Sequence, residues 1–139
     1  MADDILLNKT AIIERCLGRI DQEYKGHEQE LETNFTRQDA IILNLLRVCE
    51  AAIGAAMHIV RLRHLGVPQE SREAFTMLCD AGILNEQLAG HMRAMVGFRN
   101  IAIHNYQKLN LEIVRSILDK RLDDFRQFAS FILQMTSDE

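Results

Sequence analysis

The chain has 139 residues, a formal net charge of −4 and a pI near 5.7, with one proline, no tryptophan and 47% hydrophobic residues. That hydrophobic share excludes a disordered chain, and the acidic balance excludes an overall basic field that would gather nucleic acid, so any such contact must be local. Sparse Pro and Gly, with abundant Leu, Ile, Ala, Glu, Gln and Arg, predict an all-α protein.

From Ile5 to about Thr33, Leu6, Ile13, Leu17, Ile20, Tyr24 and Leu31 recur every three or four residues, predicting one long amphipathic helix that Gly26-His27 weakens. Thr36 followed by Asp39 predicts a hydroxyl cap and an acid in the first turn of a second helix, Arg37 to about Leu65. Its apolar stripe includes Ile42, Leu45, Leu46, Cys49, Ile53, Ile59 and Val60, and its small residues Ala51, Ala52, Gly54, Ala55 and Ala56 admit a close neighbour. Arg61, Arg63 and His64 gather at its C-terminal end. They read either as compensation of the helix dipole or as a basic rim for an anionic ligand such as RNA.

Gly66-Val67-Pro68 stops that helix. Ser71 then caps a short helix, Arg72 to Cys79, and Asp80-Ala81-Gly82 makes a turn. Asn85 caps a fourth helix, Glu86 to about Ile103, and Asn110 caps a fifth, Leu111 to about Met135. The tail from Thr136 onward reads as frayed. No repeat, low-complexity tract or linker divides the chain. The expected architecture is a single domain over residues 1–139, an up-and-down bundle of four long helices plus one short helix.

Cys16, Cys49 and Cys79 are far apart and odd in number, which predicts buried thiols rather than a disulfide framework or a metal site. The N-terminus carries no pattern of a signal peptide, and the longest apolar run falls short of a membrane span, so a cytoplasmic protein is expected. His58, His64 and His91 sit alone on helices, without an obvious ligand partner.

One stretch breaks the bland pattern. Between Met95 and Tyr106 an apolar helix is interrupted by Arg99, Asn100, His104 and Tyr106. Arg is a fixed cation with a fork of donors suited to phosphate, His exchanges protons near neutral pH, and Tyr carries a phenolic hydroxyl. Asn100 and His104 are four apart and share a helix face, whereas Arg99 and His104 are five apart and diverge by about 140°. Convergence on one phosphate then needs either a helix end near His104 or a second copy of the chain. Both Arg99 and His104 are expected to be solvent-accessible.

Arg99-Asn100-Ile101-Ala102-Ile103-His104 resembles the R-x4-6-H signature of the HEPN superfamily, including the polar residue after the Arg. With Asn105-Tyr106 it is similar to the longer R-x4-H-x-Y form of HepT-like toxins, and helical order and length agree along nearly the whole chain. The resemblance implies a metal-independent endoribonuclease that needs no cofactor, the toxin of a type II toxin–antitoxin pair. It implies a homodimer whose two motifs face one cleft, with Arg99, Asn100 and His104 as catalytic residues. It also implies an antitoxin resembling a minimal nucleotidyltransferase (MNT), which silences the toxin by transferring AMP to Tyr106. A non-catalytic helical adaptor that binds a nucleotide or a partner is the alternative.

Overall fold

The computed structural model describes residues 3–137, and their regular elements are all helical. The helices are α1 (Asp4–Tyr24), α2 (Phe35–Leu62), α3 (Ser71–Asp80), α4 (Glu86–His104), α5 (Leu111–Lys120) and α6 (Leu122–Ser137), with short 3-10 turns at Glu28–Glu30 and Tyr106–Lys108.

Several boundaries differ from the sequence expectation, each for a local reason. α1 stops at Tyr24 rather than Thr33 because Gly26 takes φ of 81°, a left-handed conformation that only glycine adopts without strain. Asn34, not Thr36, caps α2, accepting from the Arg37 amide at 3.1 Å. α2 also ends earlier than expected, at Leu62, and His64 follows in the left-handed region with φ of 54°. Ser71 opens α3 instead of capping it, and Glu70 at the cap makes no side-chain bond. Asn85 and Asn110 do cap α4 and α5, as the sequence predicts. The expected fifth helix is two helices, broken at Arg121 with φ −123° and ψ −4°, so the described residues hold six α-helices rather than five. Thr136 and Ser137 belong to α6, and Thr136 is buried; the rest of the expected frayed tail lies outside the described residues.

The long helices alternate in direction. Asp3 at the start of α1 meets His58 near the end of α2 at 2.9 Å, while Arg37 at the start of α2 donates to the Glu23 carbonyl near the end of α1. Asp39 and Glu50 on α2 meet Tyr106 and Arg99 on the α4 side, so α4 runs antiparallel to α2. Asp21 meets Arg126 across α1 and α6. This is the up-and-down arrangement of a helical bundle. α2 is long and apolar enough to cross a membrane by composition, yet 61% of its most apolar window is buried inside the bundle, as a core helix requires.

The core is continuous, running from Leu6, Ile13 and Ile20 on α1 through Leu45, Ala52 and Ile59 on α2 to Phe125, Phe128 and Ile132 on α6. Cys16 and Cys49 are buried within it, but Cys79 is only half-buried. α3 is tied to this core by Phe75, 1% exposed, whose ring meets Phe128 edge-on at 5.7 Å between centroids. His58 and His91, unpartnered on sequence grounds, are in fact held by Asp3 at 2.9 Å and Asp124 at 3.1 Å.

Because α3 carries Ser71 to the motif helix, its anchoring matters to the site. Phe75→Ala removes a fully buried ring and should lower unfolding free energy by about 3–5 kcal/mol. Denaturant titration checks this: the midpoint falls while the slope is unchanged. A loss below about 1 kcal/mol would mean the ring does not anchor α3.

Candidate active site

α4 ends at His104, the last helical residue, and Asn105 turns the chain with φ −151° and ψ 55°. Arg93, Gly97, Asn100 and His104 are spaced four, three and four apart, so they line one face of α4. Asn100 and His104 are both exposed there. The imidazole therefore sits at an open helix end, free to reach a ligand.

Arg99 points elsewhere. Its Nη1 donates to Glu50 Oε1 at 2.7 Å and its Nη2 to Ser71 Oγ at 3.1 Å. The guanidinium thus bridges α2 and the start of α3, and its side chain is only 17% exposed. The expected open accessibility of Arg99 is corrected: its side chain is mostly covered, both Nη atoms are engaged, and its Nε is buried. The partners of Arg99 are Glu50 and Ser71, on α2 and α3, rather than His104.

Gly97 explains itself by what lies above it. A Cβ there would come within 2.6 Å of Arg72 Nη2, so the missing side chain lets the Arg72 guanidinium lie against α4. Arg93, one turn earlier, donates to Thr76 of α3 at 3.4 Å. Two further cations thereby flank the face that carries Asn100 and His104. Sequence reasoning missed Arg72, Glu50, Ser71 and Asp39 as parts of this site. Gly97 inside an otherwise well-formed helix was the one available signal, since a mid-helix glycine asks for a packing reason.

Tyr106 follows α4 in the 3-10 turn, 42% exposed, and its hydroxyl donates to Asp39 Oδ1 at 2.7 Å. Burial first, then the neighbouring Asp39 carboxylate, push its pKa up to about 12. Tyr24 is raised to about 12 as well, by burial and then by Asp119, to which it donates at 2.7 Å.

Arg61, Arg63 and His64 lie at the opposite end of α2 from Asp39. From Asp39 to Arg61 the helix rises roughly 33 Å, at about 1.5 Å per residue. The basic rim is therefore remote from the Tyr106 end of the motif, while Glu50, the partner of Arg99, lies about 16 Å from Arg61 along the same helix. Arg63 instead borders a cleft of about 390 Å³ with Gly82, Ile83, Phe131, Gln134 and Met135.

The family model described as Ribonuclease HepT-like matches residues 13–132, and the chain belongs to that family. A relative, the mRNA nuclease HepT of Shewanella oneidensis, is 47% identical over 130 residues, covering 94% of this chain and 97% of the relative. The tri-AMPylated Shewanella oneidensis HEPN toxin in complex with MNT antitoxin superposes with a TM-score of 0.90 at 46% identity, covering 95% of this chain and 98% of that one. A toxin–antitoxin complex with AMP-PNP gives 0.88 at 45% identity, covering 94% and 98%.

The two tyrosines of the chain provide a direct check of the site's geometry. A raised phenol favours the neutral form in the folded state, so its contribution to stability is present below pH 10 and is lost as pH rises toward 12. Spectrophotometric titration of the native protein should show neither tyrosine half-ionised at pH 10. A tyrosinate transition centred at the ordinary value would mean that the Asp39 and Asp119 contacts do not form.

Proposed function

We propose that this chain is the toxin of a type II toxin–antitoxin pair, an endoribonuclease cleaving RNA without a metal ion and silenced by AMP transfer to Tyr106. The 47% identity to an mRNA nuclease and the likeness to an AMPylated toxin held by its antitoxin support the class of activity and the type of partner. The observation that carries the site assignment is the end of α4 at His104, which leaves an exposed imidazole beside Asn100 on an open face.

RNA carries a 2′-hydroxyl next to each phosphodiester. His104 takes the proton of that hydroxyl as its oxygen attacks phosphorus, and a 2′,3′-cyclic phosphate forms. The bond to the 5′-oxygen breaks, and a second imidazole gives the leaving oxygen its proton. Arg99 stabilises the charge that develops on the phosphoryl oxygens, in the hold that Glu50 and Ser71 provide. Asn100, one turn before His104, donates to the phosphate or steadies the ring. Proton transfer by histidine and charge stabilisation by arginine supply both needs of the reaction.

The divergence of Arg99 and His104 on α4 supports a homodimer, in which one protomer's Arg99 and the other's His104 share a cleft. The exposed apolar residues Phe35, Leu43, Ile101 and Ile103 on α2 and α4 supply a surface for it. The whole chain, residues 1–139, acts as one HEPN-like domain in the cytoplasm, with its cognate MNT-type antitoxin as partner. An AMP group on Tyr106 would bring bulk and negative charge to the end of α4 and exclude RNA there.

The test uses purified protein and RNA. Arg99→Ala and His104→Ala should each lower the cleavage rate by at least about a hundredfold, the scale of losing an acid–base group or a charge-stabilising donor. Product ends should be 5′-hydroxyl and cyclic phosphate, and wild-type cleavage should persist in excess chelator. Activity lost on chelation and restored by one divalent ion would overturn metal independence; undiminished cleavage by either variant would overturn the site. Absence of any cleavage by wild-type dimer would leave the adaptor reading.

Tyr106→Phe keeps the ring and removes the acceptor. When co-expressed with the antitoxin it should remain toxic and keep its unmodified mass. A mass increase by whole adenylyl groups that persists in Tyr106→Phe would place the modification elsewhere.

A further inference from the structure

The carboxylate that holds the Tyr106 hydroxyl has no evident structural duty. Asp39 is the fifth residue of α2, whose cap is already supplied by Asn34. Among the described residues Asp39 forms no ion pair; its contact is the Tyr106 hydroxyl, at 2.7 Å. It sits on the exposed edge of α2, and the phenol it receives is itself 42% exposed. A hydroxyl meant only for structure is usually buried with its partner; this one belongs to a partly exposed residue and has a proton acceptor already in place. His104 and Lys108 lie two residues to either side of Tyr106, and Asp39 is the group that reaches its oxygen from the neighbouring helix.

From this contact we infer that Asp39 is the general base of the toxin's own modification, a catalytic residue that the modified protein contributes to the transferase reaction. The inference rests on the reading of Tyr106 as the AMP acceptor. In the step, the phenolic oxygen attacks the α-phosphorus of a nucleoside triphosphate held by the partner nucleotidyltransferase. The bond from the α-phosphorus to the oxygen bridging to the β-phosphorus breaks, and pyrophosphate leaves. The phenolic proton passes to Asp39 Oδ1 as the new bond forms, and water then relieves the carboxyl of it. A neutral phenol is a weak nucleophile, so a base at hydrogen-bond distance is what the reaction needs. Asp39 serves the first transfer only. Any AMP added to the first would join a ribose hydroxyl and not the phenol that Asp39 holds.

The experiment follows the first AMP transfer to purified toxin by intact mass, with cognate nucleotidyltransferase and ATP, from about pH 6 to about pH 9. Asp39→Asn keeps the shape and a hydrogen bond but cannot take a proton. At pH 7 it should slow the transfer by about a hundredfold, and its rate should climb about tenfold per pH unit as phenolate becomes available, while wild type stays nearly flat. Asp39→Glu keeps the carboxylate and should recover much of the rate. A wild-type toxin that gains no mass would overturn the Tyr106 reading and this inference with it. A modified wild type with Asp39→Asn within about threefold of it, or slowed by the same factor at every pH, or not rescued by Glu, would overturn the base assignment alone.

Discussion

The Arg99 fork ties the motif helix to its surroundings. One guanidinium nitrogen is held by Glu50 on α2 and the other by Ser71 at the start of α3. A guanidinium offers its donors in a fixed plane, so two partners on two helices fix its direction as well as its place. A carboxylate beside a mostly covered cation also lowers the cost of keeping that charge out of water. The arrangement places α3 in the service of α4: a ten-residue helix anchored by Phe75 delivers a hydroxyl at one end and the Arg72 guanidinium next to it. The proposed cleft is therefore held by packing in the bundle rather than by loops, which suits a charge that must sit still while RNA reacts.

Helix length sets the second constraint. If α4 continued past His104, the imidazole would be one more side chain on a cylinder. Tyr106, four residues after the buried Ala102, would then share the face of α4 that packs into the bundle. Ending the helix there, with Asn105 leaving helical geometry, brings the tyrosine across the first turns of α2 instead. The same termination gives His104 its open position and gives Tyr106 its contact with Asp39. One local event in the backbone thus creates both the proposed catalytic end and the proposed point of control. The two lie close enough that charge added to one is felt at the other.

Much of this was legible in the sequence, because periodicity and capping residues report directly on helices. The caps Asn85 and Asn110, the alternation of long helices and the unusual content of residues 99–106 could all be read without coordinates. What could not be read depends on contacts between distant residues. Glu50, Ser71 and Asp39 are ordinary polar residues in their own segments, and meet the motif residues only when α2 and α3 are laid against α4. The break at Arg121 was hidden for a related reason. Both flanking segments keep apolar residues at helical spacing, so the pattern runs through the break without marking it. The basic rim was legible only as a run of charges, and its distance from the Tyr106 end of the motif follows from the length of α2.

Five residues of helix turn the proposed cation, Arg99, and the proposed base, His104, about 140° apart around α4. Arg99 looks toward Glu50 and Ser71, whereas Asn100 and His104 look outward beside Arg93 and Gly97. Turning Arg99 toward His104 would give up its hold on Glu50 and Ser71. A reaction that needs both groups at one phosphate is then better served by a second copy. In that arrangement each Arg99 stays on its own scaffold while the exposed imidazole crosses to the partner's side. A symmetric pair has two imidazoles in one cleft, which matches the two proton transfers of RNA cleavage, one to remove a proton and one to return it. The same symmetry brings one Tyr106 with each imidazole, so charge added to either tyrosine would weaken RNA binding in the shared cleft.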